Sequence, residues 1–309
     1  MPFVSARKTR KDLKDSARRR TVRGAFVQTR PKFGQNEENI DDAIKLASKI
    51  RSDIYVFPEL CNSGYAFTSR KESEQLSEPL SGGASVDKLQ SFSERQKCTL
   101  VAGLAENDRR ASKIYNSSII IERGSILGCY RKMHLFYREK LWFDQSNSGF
   151  KVHSLQSLGC NIGVLICFDW FFPEASRELM LRGADIICHP SNLVMPGKAQ
   201  AGMLVRAFEN KVFVITANRV GRENRGVKDN FLFTGKSQIA TPIMTKLTSA
   251  SATDTTAKAA ALELGLARNK NVTSMNNIFQ DRRTKFYAEG SGHKALEAEQ
   301  RAGLESVAR

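Results

Sequence analysis

The chain has 309 residues, 41% of them hydrophobic, which is enough to bury a sizeable core in one large domain or two small ones. No apolar run approaches about 18 residues and no apolar segment lies near the start, so neither a transmembrane helix nor a signal peptide is expected. The net charge is +16, but residues 1–32 hold eleven basic and two acidic side chains and supply more than half of it; the mildly basic remainder lacks the basic face of a nucleic-acid-binding protein.

The two ends of the chain differ in composition from the rest. Residues 1–21 are rich in arginine and have no sustained apolar period, which predicts a disordered, solvated extension. Two alternatives stay open for it: an organelle-targeting segment, which Asp12 and Asp15 weaken, and a contact with nucleic acid or an anionic surface. Residues 288–309 are charged and alanine-rich and predict a loose helix or a disordered tail. The folded domain is therefore expected over residues 22–287.

Residues 22–130 alternate between apolar strands and amphipathic helices. Residues 36–50 have apolar side chains at helical spacing and predict the first helix. Residues 115–122 and 125–130 predict a β-hairpin around Arg123 and Gly124. The other predicted elements are strands over residues 22–28, 54–57 and 100–104, and a helix over residues 85–97.

The alternation recurs after a polar and aromatic loop over residues 134–150. Residues 162–166 predict a buried strand, and a helix begins at Pro173 and ends before Gly183, a residue type common after helix ends. Because strand and helix alternate in two blocks, we expect two β-sheets packed together with helices outside. The remaining predicted elements are strands over residues 184–192 and 212–217, a helix over residues 198–210 and a strand pair over residues 231–240.

Three ionisable residues follow predicted strands directly. Glu59 follows the strand over residues 54–57, Lys132 follows the second arm of the hairpin, and Cys167 lies where a strand gives way to a helix. Each has an ordinary explanation, respectively a surface carboxylate, a solvated lysine and a buried core cysteine. A cysteine between strand and helix can also be a nucleophile, because a nearby helix N-terminus favours the thiolate.

Together these three segments resemble the Glu-Lys-Cys motifs of the nitrilase superfamily of carbon–nitrogen hydrolases, in the same order and over residues 22–287. The resemblance implies a single α/β domain, the four-layer α-β-β-α sandwich of that superfamily. It implies that Cys167 is the nucleophile, that Glu59 carries protons, and that Lys132 binds the oxyanion together with the backbone N–H of Phe168. No metal or organic cofactor is needed for these steps.

A second glutamate is also expected in the site. The superfamily often carries a Tyr-x-Glu-Lys pattern in the loop after its lysine, and residues 137–140 fit that pattern. The resemblance therefore implies that Glu139 orients Lys132 or the substrate amide; the alternative is a surface salt bridge. His134, two residues after Lys132, is expected to give structural support and not to act as a base.

The residues around the nucleophile predict a small, uncharged substrate. Carbamoylases that act on D-amino acids bind the substrate carboxylate through arginines soon after the nucleophile, whereas this chain has Trp170 and Phe171 there. A carboxylate buried against such an apolar wall without a partner would cost several kcal/mol, on the order of 2–7. The predicted substrate-binding residues are Phe168, Trp170, Phe171, Tyr65 and Asn192.

Three functions stay open at this point. Phe168 and Asp169 after the nucleophile are typical of amidases and carbamoylases, which favours a small amide or carbamoyl substrate. The wider run over residues 167–174 also looks like archaeal aliphatic nitrilases, so a nitrile substrate is the alternative. A non-catalytic binding protein on the same fold is a third possibility, which the intact Glu-Lys-Cys set argues against.

Six scattered cysteines without a CxxC pair argue against a zinc site and favour a reducing, cytoplasmic compartment. The resemblance further implies a homodimer or larger homo-oligomer, formed through the helix after the nucleophile and a C-terminal arm over residues 264–283. No nucleic acid or membrane is expected as a partner.

Overall fold

The computed structural model describes residues 21–225 and 230–287, which fall into two compact units that divide after Asn269. The predicted extension over residues 1–21, apart from Thr21, and the predicted tail over residues 288–309 lie outside the described residues. The single domain predicted over residues 22–287 spans both units and stays a prediction.

The first unit contains a six-stranded sheet in the order β14-β1-β2-β3-β4-β5. Strands β1, β2 and β3 are parallel, and β3, β4 and β5 form an antiparallel meander that includes the predicted hairpin. The strands are β1 (Thr21–Gln28), β2 (Ile54–Val56), β3 (Thr99–Asp108), β4 (Lys113–Glu122), β5 (Ser125–Arg131) and β14 (Thr256–Glu263).

A second six-stranded sheet has the order β13-β12-β9-β8-β7-β6. Its centre is again parallel, since β7 pairs with β8 and β8 with β9 in the same direction. A separate two-stranded ribbon joins β10 to β11. These strands are β6 (Val152–Leu155), β7 (Cys160–Val164), β8 (Ile186–Ser191), β9 (Phe213–Asn218), β10 (Val220–Glu223), β11 (Phe231–Thr234), β12 (Gln238–Ala240) and β13 (Lys246–Ser249).

Helices cover the outer faces of both sheets. The helices are α1 (Asn36–Ala47), α2 (Arg70–Leu76), α3 (Ala84–Gln96), α4 (Glu139–Trp142), α5 (Pro173–Leu181), α6 (Lys198–Asn210) and α7 (Leu264–Arg268). Helices α1 and α3 bury their apolar faces with Ala25 and Val27 of β1, while Gly24, which precedes Ala25, faces the second sheet and lies against Ile215 of β9. This alternation along β1 is that of a strand buried on both faces. The predicted four-layer α-β-β-α sandwich is confirmed.

Two sequence predictions about the last third of this unit were wrong or incomplete. Residues 231–240 form two strands as predicted, but β11 and β12 do not pair with each other, because the chain turns through positive φ at Gly235 and Lys236 and β12 joins the second sheet. Strand β14 was not predicted, since its alanine-rich sequence contains only one β-branched residue, Thr256. None of the helices in the described ranges is long and apolar enough to cross a bilayer.

The second unit, described from Lys270 to Tyr287, contains an antiparallel bridge between Asn271 and Asn277 and a 3₁₀ turn over Thr284–Phe286.

Candidate active site

Four predicted catalytic residues lie together. Glu59, Lys132 and Glu139 are fully or almost fully buried, and Cys167 is 7% exposed. The Lys132 Nζ atom lies 2.6 Å from Glu59 Oε1 and 2.8 Å from the Glu139 carboxylate. Glu59 and Lys132 come from the first sheet and Glu139 begins α4 after it, whereas Cys167 follows β7 of the second sheet. The cluster therefore forms only where the two sheets meet.

Glu59 is placed by the close approach of its loop to β3. The loop continues the sheet, since the Phe57 N–H donates to Val101 and the Cys61 N–H donates to the Gly103 carbonyl. At Gly103 a Cβ atom would lie 2.4 Å from Glu59 Cα and 2.6 Å from the Pro58 carbonyl oxygen. Both contacts are to backbone, which cannot rotate away as a side chain can. Glycine at this position is therefore required for the backbone of Glu59 to lie where it does.

Gly103→Ala is expected to lower turnover by about tenfold to a hundredfold, because displacement of a catalytic group by about 1 Å can cost that much. Steady-state turnover of the folded variant measures the effect. Gly24→Ala is the matched control, since its Cβ would meet only the movable ends of Ile215 and Leu262. This control should lose stability but keep its turnover. Equal activity in the two variants would contradict the assigned role of Gly103.

Cys167 occupies a strained elbow at the end of its strand. Its φ angle is +42°, in the left-handed region that non-glycine residues avoid, and it begins a 3₁₀ turn over Cys167–Phe171. The carbonyl of Cys167 accepts a hydrogen bond from His189 Nε2 at 2.9 Å. Burial lowers the pKa of His189 to about 4, so this histidine is neutral and holds the elbow as a hydrogen-bond donor.

The structure does not place Cys167 at the helix N-terminus that could favour its thiolate. Helix α5 begins only at Pro173, beyond the 3₁₀ turn, so its N-terminus does not lie at the sulfur. Burial and the nearby Glu59 carboxylate raise the pKa of the Cys167 thiol well above its ordinary value, which outweighs the opposing effect of Lys132. The resting nucleophile is a protonated thiol, and a base must remove its proton before attack.

Lys132 stays charged in spite of its burial. Burial alone would lower the pKa of the ammonium group, but the Glu139 and Glu59 carboxylates raise it above the ordinary lysine value. Burial raises the pKa of Glu139 to about 7, with a further increase from Glu59 and a decrease from Lys132. The site thus holds a permanent cation between two carboxylates, one of which titrates near neutral pH.

Glu59 keeps one oxygen available. Its Oε1 accepts hydrogen bonds from Lys132 and from Asn116 Nδ2, the latter at 2.7 Å. Within the described part of the chain no group bonds its buried Oε2. A buried carboxylate oxygen without a partner is costly, and it can accept the proton of a thiol or of a water. Asn116 was not predicted, although the polar run Asn116-Ser117-Ser118 inside an apolar strand was a signal for it.

Asp169 joins the segments that carry Lys132 and Cys167. Its buried carboxylate accepts hydrogen bonds from the Ile166 N–H at 2.8 Å and from the Tyr130 hydroxyl at 2.8 Å. It also accepts from the backbone N–H of His134 and lies 2.7 Å from that residue's Nδ1. Tyr130 and His134 flank Lys132 two residues away on either side, so one side chain ties both flanks of the lysine to the cysteine elbow.

A family comparison agrees with this geometry. Residues 23–269, more than half of the chain, match the model of the carbon–nitrogen hydrolase family. The chain belongs to the carbon–nitrogen hydrolase family. The predicted resemblance is thereby confirmed, and this protein is a carbon–nitrogen hydrolase.

Several relatives of this carbon–nitrogen hydrolase are known. A nitrilase of Pyrococcus abyssi (strain GE5 / Orsay) is 42% identical over 269 residues, which cover 86% of this chain and 99% of the relative. An N-carbamoylputrescine amidase of Oryza sativa subsp. japonica is 30% identical over 81% of this chain and 88% of its own length. A mutant amidase of Nesterenkonia sp. AN1, solved with the acetamide moiety of fluoroacetamide covalently added at its active site cysteine, shares the fold with a TM-score of 0.68 at 21% identity, covering 87% of this chain and 96% of its own.

A narrow cavity of this carbon–nitrogen hydrolase opens beside Cys167, with a volume of about 10 Å³, roughly the space that one water molecule needs. No side chain that lines it carries a charge. Asn192 is 2% exposed, and neither polar atom of its amide bonds to a described residue. The lining residues are Cys167, Phe168, Trp170 and Asn192, all of them predicted, together with Phe136, Leu193, Val194, Met195 and Ala199.

Two predicted substrate-binding residues lie outside this cavity. Phe171 is 54% exposed, because the 3₁₀ turn directs it outward, where it stacks on Phe168 with ring centroids 5.6 Å apart. Tyr65 is buried behind the site, and its hydroxyl donates to Glu139 Oε1 at 2.8 Å. The carbon–nitrogen hydrolase cavity is therefore lined by fewer aromatic rings than the sequence predicted.

Proposed function

We propose that this carbon–nitrogen hydrolase cleaves small, uncharged amides or nitriles through a covalent intermediate on Cys167 and releases ammonia. One observation carries this proposal: Lys132 is held between two buried carboxylates beside the cysteine, and the second oxygen of Glu59 has no partner in the described chain. That arrangement supplies a cation for an oxyanion and a base for a thiol in one water-poor site.

The reaction begins with proton transfer. Glu59 takes the proton of the Cys167 thiol while the sulfur forms a bond to the carbonyl or nitrile carbon of the substrate. A base is needed because burial keeps the thiol protonated at rest. Lys132 does not compete for that proton, because the two carboxylates hold it in its charged form.

Charge then develops on the substrate oxygen of an amide. Lys132 stabilises this oxyanion together with the backbone N–H of Phe168, which directly follows the nucleophile. One such donor typically lowers the barrier by about 3 kcal/mol. The Lys132 cation is already held by Glu59 and Glu139, so little reorganisation is required when the charge appears.

Ammonia leaves when Glu59 returns its proton to the departing nitrogen, and a thioester to Cys167 remains. Glu59 then accepts a proton from water, whose oxygen attacks the thioester and releases the carboxylic acid and the free thiol. A nitrile first gives a thioimidate, which adds one water and loses ammonia to give the same thioester. The same residues therefore serve both substrate classes, and two waters are consumed for each nitrile.

Both the cavity and the comparisons bear on the substrate. The uncharged lining, with the Asn192 amide as a polar group without a partner in the described chain, favours a small neutral substrate that offers a hydrogen bond to that amide. The relative that is 42% identical over nearly its whole length is named a nitrilase, which supports nitriles as strongly as the residues after Cys167 support amides. Ammonia release from matched amide and nitrile pairs tests the proposal, and release from none of them would contradict it.

We expect little hydrolysis of N-carbamoyl-D-amino acids, because no lining side chain can pair with their carboxylate. The measurement is kcat/KM for one such compound, for a neutral amide of similar size and for a neutral dinitrile. The neutral compounds should be preferred by at least about tenfold, since each 1.4 kcal/mol of desolvation changes the ratio by that factor. A preference for the charged compound would show that an arginine such as Arg138 or Arg206 enters the pocket.

Assembly and location form part of the proposal. A homodimer or larger homo-oligomer is supported by the exposure of Val205 and Phe208 on α6, which packs beside the helix after the nucleophile; the molar mass in solution tests it. None of the six cysteines, all of which lie in the described ranges, forms a disulfide bond, which supports a reducing, cytoplasmic compartment.

A further inference from the structure

Tyr65 is buried beside the catalytic cluster and forms a hydrogen bond to it through its hydroxyl. The Tyr65 side chain is 3% exposed, and its hydroxyl donates to Glu139 Oε1 at 2.8 Å. The ring packs edge-on against Trp142, Phe231 and Phe233, with centroid distances between 5.2 and 6.0 Å. Three aromatic contacts fix the direction of the ring, so the hydroxyl has one acceptor and little freedom to choose another.

The backbone of the same residue is held by a buried ion pair. Glu223, at the end of β10, accepts hydrogen bonds through Oε2 from the N–H groups of Tyr65 at 3.0 Å and Ala66 at 2.6 Å. Its other oxygen pairs with Arg219, whose Nη2 donates to the Pro31 carbonyl at 2.9 Å. Tyr65 is thereby fixed at both its backbone and its ring by residues of the β10–β11 ribbon.

Glu139 needs such a partner. A buried carboxylate is stable in its ionised form only with hydrogen bonds or opposite charge. Lys132 supplies charge but is shared with Glu59, while the Phe136 N–H reaches Glu139 Oε2 at 3.2 Å. Two uncharged side chains also donate to this carboxylate: Asn116 Nδ2 to Oε2 at 3.5 Å, and the Tyr65 hydroxyl to Oε1 at the much shorter 2.8 Å. The hydrogen bond from Tyr65 favours the ionised carboxylate over the protonated one.

We propose that Tyr65 is a positioning residue: its hydroxyl, fixed by Glu223 and by aromatic packing, keeps Glu139 ionised and directed at Lys132. This replaces the role in substrate contact predicted from the sequence, and it rests on the proposed function. Glu139 in turn keeps Lys132 placed for the oxyanion. The β10–β11 ribbon is thus linked to Lys132 through two hydrogen bonds that Glu139 accepts, one from the Tyr65 hydroxyl and one from Lys132 Nζ.

Tyr65→Phe tests this role because it removes only the hydroxyl and keeps the ring packing. Without the donor the pKa of Glu139 rises above its value of about 7. The active form has Glu139 ionised, so the acid limb of the kcat profile should move to higher pH by roughly one unit or more, the size expected for a hydrogen bond to a charged group. KM for a neutral substrate on the alkaline plateau should not change.

Infrared titration gives a second measurement that does not depend on turnover. The absorption band of the protonated Glu139 carboxyl should persist to higher pH in Tyr65→Phe than in the unaltered protein, and Glu139→Gln identifies the band by removing it. Tyr55→Phe is the matched control, since Tyr55 is equally buried and its hydroxyl donates to the Ile50 carbonyl at 2.8 Å, in the core beneath the α1 and α3 helices. Tyr55→Phe should lose about as much stability as Tyr65→Phe, but neither the acid limb of its kcat profile nor its infrared band should shift.

Each outcome decides the question. A shift of both the acid limb and the infrared band in Tyr65→Phe, but not in Tyr55→Phe, supports the positioning role. If neither the acid limb nor the infrared band shifts, the positioning role is overturned, even if turnover falls. If KM rises without such a shift, Tyr65 instead contacts the substrate. If the unaltered protein hydrolyses no amide or nitrile, the proposed function fails separately, while the infrared band still reports on Tyr65.

Discussion

Cys167→Ala is expected to abolish turnover, to below the detection limit of an ammonia assay, while the melting temperature changes little. The substitution deletes one sulfur atom, and with it the only protein atom that bonds to substrate carbon in the proposed reaction. The elbow itself is held by the carbonyl of residue 167 and by Asp169, neither of which the substitution alters. Loss of activity should therefore appear without loss of fold.

Cys98→Ala is the matched control for this variant. Cys98 is 1% exposed and lies in the core beneath α1 and α3, so its substitution should cost stability but no turnover. A peptide map after brief alkylation gives independent evidence: Cys167 beside the cavity should react before the four cysteines that are at most 2% exposed, with the half-buried Cys129 as its competitor. Substantial activity in Cys167→Ala would refute the proposed nucleophile.

Glu59→Gln and Lys132→Ala are each expected to lower turnover by at least about a hundredfold, the usual effect of removing a proton carrier or an oxyanion donor. Glutamine keeps the size of Glu59 and the hydrogen bond from Asn116, but it cannot take the thiol proton. Alanine leaves no cation where negative charge develops. Steady-state rates and burst kinetics on the same neutral substrate measure both effects.

Glu139→Gln serves as the comparison for these variants and should cost less than Glu59→Gln, because Glu139 positions Lys132 and carries no proton in the reaction. Lys132→Ala should also destabilise the protein, by about 3–5 kcal/mol, since it leaves two buried carboxylates without their cation. Turnover rates must therefore be normalised to the concentration of folded protein. If Glu139→Gln is harmless, the second carboxylate has no part in the reaction.

The catalytic positions could be predicted because three short motifs, in order, resemble those of a known superfamily. Glu59, Lys132 and Cys167 each follow a strand whose apolar pattern is visible, and in α/β proteins ligands bind beyond the carboxyl ends of strands. The roles of Gly103 and Asp169 could not be predicted, because they depend on contacts with residues distant in sequence that no local pattern encodes.

The orientation of aromatic side chains could not be predicted. Tyr65 and Phe171 both lie near the motifs and were assigned to one wall, yet one is buried behind Glu139 and the other points to solvent. A 3₁₀ turn directs successive side chains about 120° apart, so the direction of each ring depends on where the turn begins. The state of the Cys167 thiol likewise follows from burial, which only the packed sheets determine.

The pairing of β1 with β14 has a consequence for synthesis of the chain. Gln28 pairs with Thr256, so the first strand of the described chain lies beside the last one described. At roughly 5–20 residues per second, β1 emerges roughly 10–45 s before its neighbour. During that interval one edge of β1 has no partner from its own sheet, and an open strand edge promotes pairing with other chains. A nascent chain that stops before β14 would therefore contain all four catalytic residues but would leave one edge of β1 unpaired.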